Sequence, residues 1–167
     1  MTHKLFGITG WKNSGKTTLT ERLVRCLTGR GLRIATIKHA HHDFDIDHEG
    51  TDSWRHRKAG AAEVAIVSAR RFALMHENLD EPEPSLREIA ARLAPCDLVL
   101  VEGYKRDGHK KIELRRQRGH EGPPLADSDP NIVAIASDLP WPDTKLPVFD
   151  IDAIEEIADF ILREMAV

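Results

Sequence analysis

One short stretch, residues 10–17, limits what this chain can fold into more than any other. Its sequence, GWKNSGKT, fits the pattern G-x-x-x-x-G-K-[S/T] of a loop that cradles phosphate groups. A short apolar segment precedes the loop, and leucines at helical spacing, Leu19, Leu23 and Leu27, follow it. A strand, a glycine-containing loop and a helix are what a phosphate site requires, because the helix N-terminus supplies free N–H groups and a positive dipole end. The stretch therefore predicts a nucleotide-binding α/β protein.

Each residue type in this loop has an expected role. The Lys16 ammonium would reach the β- and γ-phosphates, and the Thr17 hydroxyl would bind Mg²⁺. Glycine lets backbone N–H groups close round a phosphate with no Cβ in the way. The residues expected to hold the phosphates are Gly10, Asn13, Ser14, Gly15, Lys16, Thr17 and Thr18.

Composition narrows the class of protein. The 167 residues suffice for one domain with its own core, so residues 1–167 are predicted to form a single nucleotide-binding domain. A net charge of −3 creates no field that favours nucleic acid or an anionic membrane. We expect a cytoplasmic protein without a membrane span, because there is neither a long apolar run nor a signal-peptide pattern. Cys26 and Cys96 lack metal-ligand spacing and are expected to be small, buried residues in a reducing compartment.

The rest of the chain alternates strands and helices. Strand, helix and strand at its start predict a right-handed crossover, and hence a mostly parallel sheet flanked by helices. The apolar runs at residues 63–68 and 72–76 predict a hairpin or an antiparallel edge extension of that sheet. Apolar residues at helical spacing over residues 154–165 predict a last helix on the core, capped by Asp152 with Glu155.

Two later apolar strands are followed by carboxylates. Residues 98–101 lead into Glu102 and a glycine, the pattern of a strand that ends beside the phosphate loop. We expect Glu102 to hold Mg²⁺, directly or through water, or to orient the attacking water; the alternative is a strand end that faces solvent. Asp138 follows residues 132–136 and would accept hydrogen bonds from the N1 and N2 groups of guanine. Because the fuller Asn-Lys-x-Asp pattern is absent, an ordinary turn residue is the alternative for Asp138.

Histidines and carboxylates crowd residues 38–53, which lack apolar periodicity and are expected to form a loop. The loop follows a strand directly, at the edge where α/β sheets bind ligands. One hypothesis is a zinc site, although the spacing matches no strong zinc pattern. A second is a solvated loop that caps a helix at Thr51 or Asp52, and a third is a functional loop that holds Mg²⁺, water or a second phosphorylated ligand. The candidate site residues in the loop are His41, His42, Asp45 and Asp47.

Residues 104–118 are locally basic. Ile112 and Leu114 alternate with charged neighbours, which predicts a half-exposed strand. The charges would then protect a sheet edge, or they would bind a phosphorylated ligand or an acidic partner. Nucleic acid fits less well, given the net charge of −3.

Taken together, these residues resemble the molybdopterin-guanine dinucleotide biosynthesis protein B family over nearly the whole chain. The matching segments are residues 10–18, 38–47, 50–61, 101–105 and the Ala-x-Ser-Asp that ends at Asp138, of which the His-rich segment is the specific one. The resemblance implies a P-loop NTPase fold and a weak GTPase that assists attachment of GMP to the molybdenum cofactor. It also implies a homodimer that works with the guanylyltransferase of that pathway, with the molybdenum insertion protein as a further candidate partner.

One position departs from a wider group of dimeric P-loop proteins. Those proteins carry a lysine immediately after the first glycine of the loop, where this chain has Trp11. Lys12 comes one position later, so we do not expect it to reach a nucleotide on a neighbouring subunit.

The leading hypothesis is a Mg²⁺-dependent GTP-binding protein with slow hydrolysis. Lys16 and Glu102 would carry catalysis, Thr17 and Glu102 would hold the metal, and Asp138 would recognise guanine. The loop with His41 would lie near the γ-phosphate or form the surface that faces the molybdenum cofactor. One alternative is a small-molecule kinase with residues 105–118 as its lid, and another is a non-catalytic adaptor in which nucleotide only sets conformation.

Overall fold

A computed structural model of the chain describes residues 3–40, 44–117, 122–141 and 144–167. The described residues form two compact units, one within Met1–His39 and Leu86–Val167 and the other within Ala40–Ser85. This division does not test the prediction of one domain, because a compact unit need not fold alone. None of the described helices has the length and apolar character that crossing a bilayer requires.

The larger unit is built on a six-stranded sheet. Along the whole chain the elements are β1 (Leu5–Gly10), α1 (Lys16–Gly29), β2 (Ile34–Lys38), α2 (Asp52–Lys58), β3 (Glu63–Val67), β4 (Phe72–His76), α3 (Leu86–Ala91), β5 (Leu98–Glu102), β6 (Lys111–Arg115), a 3-10 helix (Leu125–Asp127), β7 (Ile132–Ser137), β8 (Val148–Asp150) and α4 (Ile154–Met165). The sheet has the order β2-β5-β1-β6-β7-β8, and its strand pairs are parallel. The predicted fold class, a mostly parallel sheet flanked by helices, is confirmed. The predicted antiparallel edge extension is instead a separate two-stranded sheet.

Helices cover the sheet because its strands are apolar where the helices lie. Leu19 and Leu23 of α1 are buried in one core cluster with Ile157 and Ile161 of α4. A second cluster joins α3 to Val99 and its neighbours on β5. Each large aliphatic side chain buried in this way contributes about 1.5 to 3 kcal/mol. This core holds the sheet together, and the parallel pairing of β1 with β5 places the ends of these two strands side by side. The candidate site lies there.

Strand β6 differs from its prediction. A half-exposed, edge-like strand was wrong, because β6 lies between β1 and β7 and all its residues are buried. Lys111, Glu113 and Arg115 alternate with the apolar residues and share one face of the strand. Alternation usually indicates a face in water, but here that face is covered by the loops that flank the strand.

Those loops supply partners for two of the buried charges, Lys111 and Glu113. Lys111 Nζ donates to Asp129 Oδ2 at 2.6 Å and to the carbonyl oxygen of Asp107 at 2.6 Å. The Glu113 carboxylate accepts from the backbone N–H groups that begin the 3-10 helix, Leu125 at 3.0 Å and Ala126 at 2.8 Å. Charged groups can be buried in a sheet only when such partners replace water.

The smaller unit consists of α2 and the antiparallel pair β3–β4. The hairpin forms a two-stranded sheet of its own. Val64 and Met75 point to its buried face, at 7% and 8% exposed. Val67, Phe72 and Leu74 share the opposite face and are 74%, 75% and 55% exposed, so the part of this face near the turn is apolar and exposed within the described chain.

The apolar stripe of α4 is confirmed, but its predicted cap is wrong. The N-cap residue is Ala153, and it makes no side-chain cap hydrogen bond. The Asp152 carboxylate instead accepts a hydrogen bond from the Arg22 guanidinium of α1. The Asp152 carboxylate, which the sequence predicts to cap the backbone of α4, therefore binds a cation of the neighbouring helix α1.

Candidate functional site

The loop from Gly10 to Thr17 leaves β1 with a backbone that suits glycine. Gly10 has φ 149° and Gly15 φ 92°, both in the region that favours glycine. A Cβ on Gly10 would lie 2.6 Å from Ser14 Oγ and 2.7 Å from the carbonyl oxygen of Leu114 on β6. The loop therefore packs closely against the sheet only because position 10 has no side chain.

The start of α1 has the properties of an anion site. Its N-cap residue is Gly15, which supplies no side-chain cap, and its first turn has no acidic residue. The first N–H groups of a helix lack intrahelical partners and attract anions. Ser14 is only 2% exposed, yet its hydroxyl has no hydrogen-bond partner in the described part of the chain. Donors without partners on an uncapped helix start fit a phosphate group.

Lys16 is folded back over this loop. Its ammonium donates to the carbonyl oxygens of Gly10 at 3.1 Å and Trp11 at 2.8 Å. Burial lowers the pKa of Lys16, and the nearby Lys105 and Lys38 lower it further, whereas Glu102 acts in the opposite direction. Several cations therefore surround one carboxylate beside the loop.

Glu102 lies beside the loop, at the end of β5. Its Oε1 accepts a hydrogen bond from Thr17 Oγ1 at 3.0 Å and lies 3.7 Å from Lys38 Nζ. The residue is 9% exposed, so it does not point freely into solvent. Carboxylate and hydroxyl oxygens are ligand types that Mg²⁺ accepts, and this pair suits a shared cation. Their role toward a metal stays a prediction.

Trp11 packs the phosphate loop against two other loops of the chain, a contact that the sequence does not predict. Lys105 Nζ lies 4.5 Å from the centre of its ring. The indole Nε1 donates to the carbonyl oxygen of Pro123 at 2.9 Å, and a Cβ on Gly122 would lie 2.6 Å from the ring. A bulky aromatic residue inside a phosphate loop was the only indication that this position packs against other segments.

Asp138 lies at the end of β7, on the opposite side of the loop from Glu102. It is exposed, and its Oδ1 accepts a hydrogen bond from the backbone N–H of Gln117 at 3.0 Å. Next to Gln117, the Arg116 guanidinium lies so near the loop that a Cβ on Gly15 would be 3.4 Å from Nη1. From the sequence, Arg116 is one of the basic residues of the 104–118 segment, and nothing in that pattern predicts that it lies beside the phosphate loop. The contact to guanine stays a prediction.

The residues predicted from the His/Asp-rich loop have different outcomes. Asp45 and Asp47 pair with Arg57 Nη2 at 2.7 and 2.6 Å inside the smaller unit. The hydrogen bond from Arg57 lowers the pKa of Asp47. His41 and His42 lie outside the described residues. The described residues contain no group of three or more His, Cys, Asp or Glu side chains that could hold a metal. Because part of the loop lies outside the described residues, the zinc hypothesis is not tested.

Comparisons with known proteins agree on one family. The family model described as molybdopterin guanine dinucleotide synthesis protein B matches residues 5–138. The chain is 40% identical over 163 residues to the molybdopterin-guanine dinucleotide biosynthesis adapter protein of Escherichia coli strain K12, covering 96% of this chain and 93% of that protein. It is 42% identical over 160 residues to the protein of the same name from Haemophilus influenzae, covering 94% and 86%. A crystal structure of molybdopterin-guanine biosynthesis protein B matches with a TM-score of 0.74 at 29% identity, covering 96% of this chain and 99% of that one.

Proposed function

Because the chain belongs to the molybdopterin guanine dinucleotide synthesis protein B family, we propose that it is a GTP-binding adapter with weak, Mg²⁺-dependent GTPase activity. It would assist conversion of the molybdopterin cofactor to its guanine dinucleotide form in the cytoplasm. Its partners would be the guanylyltransferase of this pathway and the molybdenum insertion protein. The observation that carries nucleotide binding is the uncapped start of α1, with Lys16 folded over the loop before it.

The described side chains divide the work of binding. Backbone N–H groups from Asn13 to Thr18 would hold the phosphates, and Lys16 would exchange its carbonyl partners for phosphate oxygens. Thr17 and Glu102 would hold Mg²⁺, which neutralises phosphate charge and fixes its orientation. Glu102 is already held by Thr17 and lies near Lys38, so it is poorly placed to activate water, which supports slow hydrolysis.

Competitive binding of GTP and ATP tests this proposal. With a fluorescent GDP analogue as the displaced probe, GTP should compete at least about tenfold better than ATP, since guanine alone offers two donors to one carboxylate. Omitting Mg²⁺ should weaken GTP more than GDP. Phosphate release should be slow, well below the ~10 s⁻¹ typical of enzymes.

Asp138→Asn is the matched variant for base selectivity. The amide keeps an oxygen for the Gln117 N–H but cannot accept hydrogen bonds from both guanine donors. The affinity for GTP should therefore fall, and the affinity for xanthosine triphosphate should rise. Equal binding of GTP and ATP by the unaltered protein would refute guanine selectivity. If neither GTP nor ATP bound, the whole proposal would be refuted.

One observation favours the kinase alternative. A cavity of about 420 Å³ lies near the end of β1 and could receive an acceptor molecule; its lining residues are Thr9, Lys105, Arg106, Leu125, Ser128, Asp129 and Ile132. Stoichiometric transfer of the γ-phosphate to a metabolite, rather than to water, would favour this function in the same assay.

The homodimer implied by the resemblance has a candidate surface on the hairpin. Val67, Phe72 and Leu74 form an exposed apolar face, and an isolated two-stranded sheet is marginally stable in water. In a symmetric dimer the apolar face of each copy would pack against the same face of the other. We therefore propose that this face is the dimer contact.

Leu74→Glu should convert the dimer to monomer at micromolar concentration. A charge placed in such a contact costs about 2 to 4 kcal/mol of association energy. Sedimentation velocity measures the change, and Arg70→Glu, at an exposed position beyond the apolar face, is the control that should stay dimeric. A Leu74→Glu protein that remains a dimer would exclude this surface.

A further inference from the structure

Lys38 occupies a position beside the phosphate loop to which the sequence assigned no role. It is the last residue of β2 and the register partner of Glu102 on β5. Strand β5 lies between β2 and β1, and β1 leads into the loop. Lys38, Glu102 and the loop therefore follow one another along the carboxyl edge of the sheet.

This order determines which end of a bound nucleotide Lys38 can meet. Asp138 and Arg116 follow β7 and β6, so a nucleotide whose guanine contacts Asp138 as proposed would have its nucleoside on the side of those strands. Thr17, by contrast, donates to Glu102 on the β5 side. Lys38 lies one strand further out than Glu102, away from the nucleoside side. In that orientation the terminal phosphate would be the part of the nucleotide nearest to Lys38.

The contact between Lys38 and Glu102 is easily exchanged. Lys38 Nζ lies 3.7 Å from Glu102 Oε1, and the lysine side chain is 62% exposed. The carboxylate is buried, but the ammonium is exposed and the separation exceeds hydrogen-bond distance, so the lysine is only loosely held. Its Cα is nevertheless fixed by pairing with β5, so the ammonium remains within reach of the site.

We propose that Lys38 binds the terminal phosphate and thereby lets the protein distinguish nucleoside triphosphates from diphosphates. This inference rests on the proposed nucleotide binding. Thr17 and Lys38 both lie against the same oxygen of Glu102, the side chain that would also hold the metal. If Glu102 holds Mg²⁺ as proposed, the Lys38 ammonium would be released from this carboxylate and could pair with the terminal phosphate. Lys38 then supplies from within the chain a cation at the position where charge accumulates during phosphoryl transfer.

The test compares two ligands that differ by one phosphate. Affinities for GDP and for the non-hydrolysable analogue β,γ-imido-GTP are measured by calorimetry in Mg²⁺. Lys38→Met should weaken the analogue about 10- to 100-fold and leave GDP within about twofold, since one charge-assisted contact is lost. Lys38→Arg should restore part of the preference.

A matched control separates this role from a general effect of charge. Lys12 is an exposed lysine of the phosphate loop, and Lys12→Met should change neither the affinity for GDP nor that for the triphosphate analogue. Equal loss of both ligands in Lys38→Met, or loss of neither, would overturn the assignment of Lys38 while leaving nucleotide binding intact. If the unaltered protein bound neither ligand, the proposed function would fail first.

Discussion

Replacing Lys16 with alanine should reduce GTP affinity roughly 30- to 1,000-fold, equivalent to about 2 to 4 kcal/mol. The ammonium is partly buried and held in place by two carbonyl oxygens of its own loop, so little further ordering is needed when phosphate oxygens replace them. Alanine removes that charge and leaves the loop carbonyls of Gly10 and Trp11 without their donor. The lost charge weakens binding of both diphosphate and triphosphate, since Lys16 would reach the β- as well as the γ-phosphate.

Titration of a fluorescent GTP analogue measures this loss. Lys12→Ala is the control, because Lys12 is exposed and should leave the affinity within about twofold. Thermal unfolding of both variants shows whether the fold persists, since Lys16 also ties its loop together. An unchanged affinity in Lys16→Ala would remove residues 10–17 from the nucleotide site.

The phosphate loop and its neighbour Glu102 were predictable because their information is local. Glycine and lysine at fixed spacing determine the loop conformation within eight consecutive positions. Glu102 follows from a general property of parallel sheets, whose strand ends meet at one edge. Neither inference required knowledge of which strand pairs with which.

The central position of β6 could not be predicted in this way. The alternation of Ile112 and Leu114 with charged residues is the same pattern that a half-exposed strand shows. Burial of the charges depends on Leu125, Ala126 and Asp129, which lie in a loop further along the chain. A single sequence does not show that such a loop folds back over the strand.

Trp11 and Arg116 show the same limit at the candidate site. In the sequence Trp11 stands out only because it replaces a lysine, yet its ring contacts segments that follow β5 and β6. Arg116 lies next to Gly15 because β6 pairs with β1, a pairing that places the residue after β6 beside the loop. Both positions depend on strand order, which local periodicity does not encode.

Glu113→Gln should lower the free energy of unfolding by about 3 kcal/mol or more. The carboxylate is fully buried, and Arg115 Nε lies 3.0 Å from its Oε1. The substitution leaves the Arg115 guanidinium buried without its counter-ion. The carboxylate accepts hydrogen bonds from the backbone N–H groups of Leu125 and Ala126. In the amide, the N–H₂ group would face one of these two N–H groups, so two donors would meet.

Urea unfolding measures the change, with Glu156→Gln on α4 as an exposed control that should stay within about 0.5 kcal/mol. Removing the stranded cation as well should recover stability, because a buried pair replaced by neutral groups often costs less than one broken partner. The double variant Glu113→Gln, Arg115→Met should therefore be less destabilised than the sum of its single variants. Strict additivity, or a Glu113→Gln effect no larger than the control, would mean that the charges on β6 do not stabilise one another. The loops over β6 would then be held by their own contacts rather than by this strand.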